Sequence, residues 1–180
     1  MSDDHALLAR ACAGDLDAFE TLVRAHQDRI YTLAYRITGN REDAVDAAQD
    51  AFVRAYQALP RFREDAAFGT WLYRIATNAA LDLVRRRPPV PPVEVPANHP
   101  VPDSPEAAAH RREIGRRVQA ALAHLPPEFR ATVVLRDLQG LSYRDVARIL
   151  QVPIGTVRSR LARGREALRA QLSDLVATEG

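Results

Sequence analysis

Between residues 1 and 87, apolar positions recur three and four apart, with no stretch of the period-two alternation that a half-buried strand requires. Leu22, Val23, His26, Ile30, Leu33, Ala34 and Ile37 predict one helix, stopped by Gly39-Asn40. A second is predicted from about Glu42 to Leu59, with Val45, Phe52, Val53 and Tyr56 as its core contacts and Pro60 as its end. A loop containing Arg61, Phe62, Arg63, Glu64 and Asp65 then leads into a third, from about Ala67 to Arg87, whose stripe is Phe68, Trp71, Leu72, Ile75, Ala79 and Leu83.

From Leu141 to Arg169 the pattern changes to a short helix, a tight turn and a longer helix studded with arginine. Ser142 suits an N-cap, Val146, Ile149 and Leu150 repeat with helical spacing, and Pro153 cannot continue that helix but suits the start of the next. Winding the second helix at about 100° per residue puts Val157, Leu161, Leu168 and Leu172 on one narrow stripe. Arg158, Arg165 and Arg169 flank the stripe, while Ser159 and Arg163 point to the far side. On an isolated helix such arginines are a solvated face. With a preceding helix and turn they form the layout that seats a helix in a DNA groove, where guanidinium groups reach guanine edges and phosphate oxygens.

Pro88 to Pro105 carries eight prolines, a density that forbids helix and favours an extended strap. The expected fold is therefore all-α, with two small helical domains at 1–87 and 106–180 and a proline-rich linker at 88–105. The net charge of +2 conceals an asymmetry: residues 106–180 hold the basic excess. All the basic residues other than histidine are arginine, which excludes a lysine-bearing phosphate loop or a lysine Schiff base. Cys12 stands alone, so no intrachain disulfide or cysteine-rich zinc site can form, and a small, partly buried cysteine is a commoner reading than a redox sensor. No long apolar run follows Met1, so a cytoplasmic protein without membrane insertion is expected.

Two further features carry candidate chemistry. Asp43, Asp46 and Asp50, with Gln49 alongside, form a row of carboxylates directed outward from the second helix; the row is either a solvated face or a docking surface. Phe62 sits in a loop beside arginines, a setting in which unstacked bases can rest.

Three ordered blocks resemble one family. Arg61-Phe-Arg-Glu-Asp-Ala-Ala-Phe-Gly-Thr-Trp-Leu-Tyr-Arg-Ile-Ala-Thr-Asn78 and the residues after it are similar to the promoter-opening part of extracytoplasmic-function sigma factors. Leu125-Pro-Pro-Glu-Phe-Arg, Leu141-Ser-Tyr-Arg-Asp-Val-Ala and Pro153-Ile-Gly-Thr-Val-Arg-Ser-Arg-Leu resemble the family's upstream-promoter domain, and Arg41-Glu-Asp-Ala-Val-Asp-Ala-Ala-Gln-Asp-Ala-Phe52 is the third match. The resemblance implies a bacterial initiation subunit without a catalytic site, cofactor or metal, whose partners are core RNA polymerase, duplex and single-stranded promoter DNA, and an anti-sigma protein. By position, Asp43, Asp46, Gln49, Asp50 and Phe52 would dock on polymerase. Phe62, Arg63, Glu64, Asp65, Ala66 and Asn78 would read the minus-ten strand by capturing an extruded base. Arg158, Ser159 and Arg163 would touch the minus-thirty-five duplex, with Arg160 and Arg165 on phosphates. Ala47, Ala48, Gly69 and Gly164 depart from the common pattern; a glycine inside a helix implies either fraying or a closely packed backbone. The rival readings are a conventional helix-turn-helix regulator, which lacks the expected receiver or ligand domain here, and a metal-dependent nuclease using Asp43, Asp46 and Asp50, for which the scattered histidines offer no general base.

Overall fold

The computed structural model describes residues 3–62, 67–86 and 105–176, and every regular element among them is helical. The first half holds α1 (Asp3–Cys12), α2 (Leu16–Thr38), α3 (Arg41–Ala58) and α4 (Phe68–Arg86), with a 3-10 turn at Leu59–Arg61. The second half holds α5 (Pro105–Ala123), α6 (Pro127–Val133), α7 (Tyr143–Leu150) and α8 (Ile154–Val176), α6 running on into a π-helical turn at Val134–Leu138. The proline-rich strap read at 88–105 lies, apart from Pro105, outside the described residues.

Local chemistry sets the boundaries. Asp15 caps α2 by accepting from the Ala18 amide at 3.1 Å while Arg10 holds its other oxygen, and these two contacts lower its carboxyl pKa below the usual value. At the far end Gly39 adopts the left-handed conformation (φ 85°), and its N–H donates to the Tyr35 carbonyl. Asn40 then caps α3: its side-chain oxygen accepts from the Asp43 amide at 2.8 Å. Helix α1, which periodicity did not reveal, buries Leu8 and Ala11 and packs on α2 and the 3-10 turn.

The core of α3 is not the one expected. Val45, Val53 and Tyr56 are 38%, 56% and 46% exposed, whereas Ala44, Ala47, Ala48, Ala51 and Ala55 are buried. Because α3 lies against both α2 and α4, its inner face must be small enough for the axes to approach, and alanine supplies that face. Val45, Val53 and Tyr56 are displaced to the outside, together with Asp46 and Gln49, whereas Phe52 stays half-buried against the core.

Helix α8 does not fray at Gly164, which is buried against α6: a Cβ there would lie 2.8 Å from Val133 Cγ2. Gly164→Ala is expected to destabilise the second half by about 1–3 kcal/mol despite alanine's better helix propensity, because the methyl forces α6 and α8 apart. Urea denaturation followed by circular dichroism checks this; a stabilised Gly164→Ala chain would show that the two helices separate freely.

The two halves are in contact. α4 lies against α6 and α7, and α2 against α5. Tyr73 on α4 hydrogen-bonds Gln139 at 3.1 Å, and Arg85 near the end of α4 pairs with Glu128 on α6 at 3.0 Å.

Candidate nucleic-acid interface

The α7–turn–α8 unit is fixed from inside and capped from outside. Ser142 accepts from the Asp145 amide at 3.1 Å, while Val146, Ile149, Val157 and Leu161 bury the shared face. Gln151 closes α7 in the left-handed conformation (φ 55°), an uncommon state for a residue with a side chain, and its N–H donates to the Ala147 carbonyl. That sharp corner lets α8 start at Ile154, with the Pro153 carbonyl accepting from Thr156 and Val157.

Burial then sorts the five basic and polar candidates on α8. Arg158, Ser159 and Arg163 are exposed; Arg160 and Arg165 are half-buried. Ser159 donates its hydroxyl proton to the Thr156 carbonyl at 3.0 Å, which leaves its lone pairs outward. Arg165 is already committed: it forks onto Asp137 at 2.9 and 2.6 Å, and this contact, ahead of all others, raises its pKa above the ordinary value. Arg165 therefore braces α8 to the π-helical turn, a partnership across 28 residues that no helical spacing reveals. Arg160 faces Glu128. Partial burial pushes that carboxyl's pKa up, but hydrogen bonding from Arg85 and the charges of Arg85 and Arg160 bring it below the usual value. The free arc of α8 is thus narrower than the arginine count suggests.

A second candidate surface surrounds the start of α4. Phe62 is half-buried, with its ring edge-to-face on Trp71 at 4.9 Å and on Phe68 at 6.1 Å, so the loop aromatic is held by its neighbours. Asn78 is half-buried on α4. Arg63, Glu64, Asp65 and Ala66, expected to contact the minus-ten strand, lie outside the described residues.

The carboxylate row on α3 divides. Asp43 is buried and accepts from the Asn40 side chain at 2.5 Å, so it belongs to the helix cap and does not point outward as expected. Asp46 and Gln49 are exposed and Asp50 is half-exposed, paired with Arg54 at 2.6 Å; Phe52 is half-buried and packs on the core. With Asp43 turned inward the row is no ligand set for a cation, and among the described residues no group of three His, Cys, Asp or Glu is placed to hold a metal. What α3 presents is a mixed surface: exposed Val45, Val53 and Tyr56 interleaved with acidic side chains. Sequence periodicity missed this surface because it assigned those three residues to the core. Among the described residues no helix is long and apolar enough to cross a membrane.

Comparisons with known proteins bear on both surfaces. The family described as Sigma-70 region 2 matches residues 22–88, and the one described as Sigma-70, region 4 matches residues 115–168. The chain is 44% identical over 162 residues to the ECF RNA polymerase sigma factor SigE of Mycolicibacterium smegmatis, covering 88% of this chain and 63% of that protein's length. It is 42% identical to the RNA polymerase sigma-H factor of Pseudomonas aeruginosa, covering 96% of this chain and 95% of that one, and 40% identical to SigW of Bacillus subtilis, covering 90% and 92%. The structure of CnrH in complex with the cytosolic domain of CnrY matches with a TM-score of 0.73 at 30% identity, covering 96% of this chain and 98% of that one. The sigma factor RpoE of Bartonella quintana, in complex with the anti-sigma factor NepR, shares the fold with a TM-score of 0.71 at 23% identity, covering 88% and 98%.

Proposed function

The chain belongs to the extracytoplasmic-function sigma factors of the sigma-70 family, and on that premise we propose how its surfaces divide the work of starting transcription. It is an alternative sigma factor that directs core RNA polymerase to particular promoters. The outer face of α3, with Asp46, Gln49 and Asp50 set among Val45, Val53 and Tyr56, docks on the polymerase. The Phe62–Ala66 loop and Asn78 take the minus-ten strand, where holding a flipped base offsets the few kcal/mol of unstacking, so that reading and strand opening become one event. On α8, Arg158, Ser159 and Arg163 read the upstream duplex; Arg165 positions the helix through Asp137.

The arrangement that carries this reading is the exposure of Arg158, Ser159 and Arg163 on a helix whose buried stripe, Val157 and Leu161, is locked in the core. The division assigns the protein no bond-making chemistry and no cofactor, and it places the protein in the cytoplasm, where its polymerase and promoters are. Because related sigma factors are solved with the cytosolic domain of CnrY and with an anti-sigma factor, an inhibitory protein partner is part of the proposal.

Promoter DNA selected with reconstituted holoenzyme supplies the test. Permanganate footprinting of the selected promoters is expected to show melting at the minus-ten element, and Phe62→Ala to slow that melting more than it weakens closed-complex binding. Unchanged melting would remove Phe62 and its loop from strand opening.

A further inference from the structure

The outer side of α7 and the corner into α8 form an open groove of about 480 Å³, apart from the surfaces proposed above for polymerase and promoter. Its floor is apolar: Ala147 and Val152 are half-buried, Pro153 is exposed, and Ile154 is 38% exposed. Arg144 and Arg148, both exposed, stand on its rim, and none of the residues lining it is acidic. The winding of α7 explains this layout. Val146 and Ile149 turn to the core, so Arg144 and Arg148, four residues apart, fall one above the other on the opposite side, with Ala147 at the edge. The corner holds the floor in place: the Ala147 carbonyl accepts from the Gln151 amide and, at 3.1 Å, from the Val152 amide, and the ring of Pro153 fixes the next turn of the chain. The groove is therefore built before any partner arrives.

Its chemistry selects the occupant. Two guanidiniums one helical turn apart match two carboxylates at the same spacing. A DNA backbone would supply the negative charge but no apolar surface, and would leave Val152, Pro153 and Ile154 in water. A small apolar ligand would cover that floor, yet an open groove cannot enclose it and the rim charges would stay unmatched. An amphipathic helix carries both kinds of group along one face, with acidic side chains a turn apart beside an aliphatic stripe.

We infer that this groove docks an acidic amphipathic helix of a partner protein, two of whose carboxylates meet Arg144 and Arg148 while an aliphatic side chain covers Val152, Pro153 and Ile154. This adds a third contact surface to the proposed function and rests on that reading only in setting the docked helix beside the upstream duplex. Ile154 opens α8, so the occupant lies at the corner from which α8 enters that duplex. Partner and DNA then share the α7–α8 unit without sharing residues, since the duplex takes Arg158, Ser159 and Arg163. Exposure sets the energetic order. Ion pairs on an open rim contribute little singly and fix orientation and choice of partner, whereas burial of Pro153 and Ile154 supplies most of the affinity.

Fluorescence anisotropy on the full chain, without polymerase or DNA, tests docking separately from promoter function. The probe is a labelled synthetic helix of about eighteen residues, made of leucine, alanine and glutamate with two glutamates a turn apart beside the leucine stripe. The parent is expected to bind it at about 10–100 μM, and a glutamine version of the probe about fivefold more weakly. Arg144→Glu combined with Arg148→Glu, at two exposed positions, is expected to weaken the glutamate probe by about tenfold or more and to bind a lysine version better than the parent does. Ile154→Ser is expected to cost about fivefold. Arg112→Glu combined with Arg169→Glu changes the net charge equally at two exposed positions outside the groove and is expected to bind as the parent does. No binding at about 1 mM probe, or a loss no greater in the rim variant than in this control, would overturn the docking site. The salt dependence of holoenzyme binding to a selected promoter supplies the second arm. Arg144→Ala combined with Arg148→Ala is expected to leave its slope unchanged; a slope lower by about one per arginine would assign the pair to DNA phosphates and overturn the inference. Failure of the parent holoenzyme to bind any promoter would count against the proposed reading of DNA and would leave the probe result standing.

Discussion

Val53→Asp is expected to fold as the parent does and to bind core polymerase about thirty-fold more weakly, a loss of roughly 2 kcal/mol of the size seen at interface hot spots. Val53 is 56% exposed on α3 and contributes little to the core, so a charge there costs no burial; it costs only a partner that must place an apolar surface against it. Asp43→Ala is the informative contrast. Its carboxylate is buried at the α3 cap, so its removal lowers the melting temperature through the lost cap and leaves docking by the folded fraction unchanged. Titration of fluorescently labelled chains with core polymerase, alongside thermal melts, separates the two. Undiminished affinity in a folded Val53→Asp chain would take the outer face of α3 out of the contact.

The second large effect belongs to α8. Arg163→Ala is expected to cost about 1–3 kcal/mol of holoenzyme binding at the upstream element and to relax the preference at one base pair, because its guanidinium is exposed on the outer arc of α8. Arg165→Ala is expected to behave differently. It leaves Asp137 without its forked partner, loosens α8 against the π-helical turn, and weakens every sequence alike along with the thermal stability of the second half. Binding measured on a set of single-base-pair variants of the selected promoter distinguishes them. An equal loss on all sequences for Arg163→Ala would make Arg163 a phosphate contact instead of a base reader.

These two residues also show where the sequence was legible. Local grammar carried the turn between α7 and α8: the Ser142 cap, the buried Val146 and Ile149 of one stripe, the buried Val157 and Leu161 of the other and the Pro153 break all act over a few residues, while Leu150, Leu168 and Leu172, assigned to the same stripes, are only half-buried. The Gly39-Asn40 stop behaved likewise, one residue closing α2 and the next capping α3. Legibility failed where a side chain's role is set by something distant in sequence. Arg165 looked free until Asp137 came beside it. Val45, Val53 and Tyr56 looked like core because they are large and apolar, whereas burial on α3 was decided by how closely α2 and α4 approach, a quantity that favours alanine. Gly164 allowed two explanations from its helix alone, and only Val133 on α6 chooses between them. The contact of Gln119 and Arg130 with the end of α2 bridges more than 80 residues and has no local signature.

The most direct measurement is run-off transcription from a selected promoter, with core polymerase and this chain as the sole initiation factor. Transcripts with one defined start, absent when the chain is omitted and reduced with Val53→Asp when the chain is limiting, are the expected result. Transcription no greater than that of core polymerase alone, or appearing only when another initiation factor is added, would contradict the assignment of these helices to promoter opening.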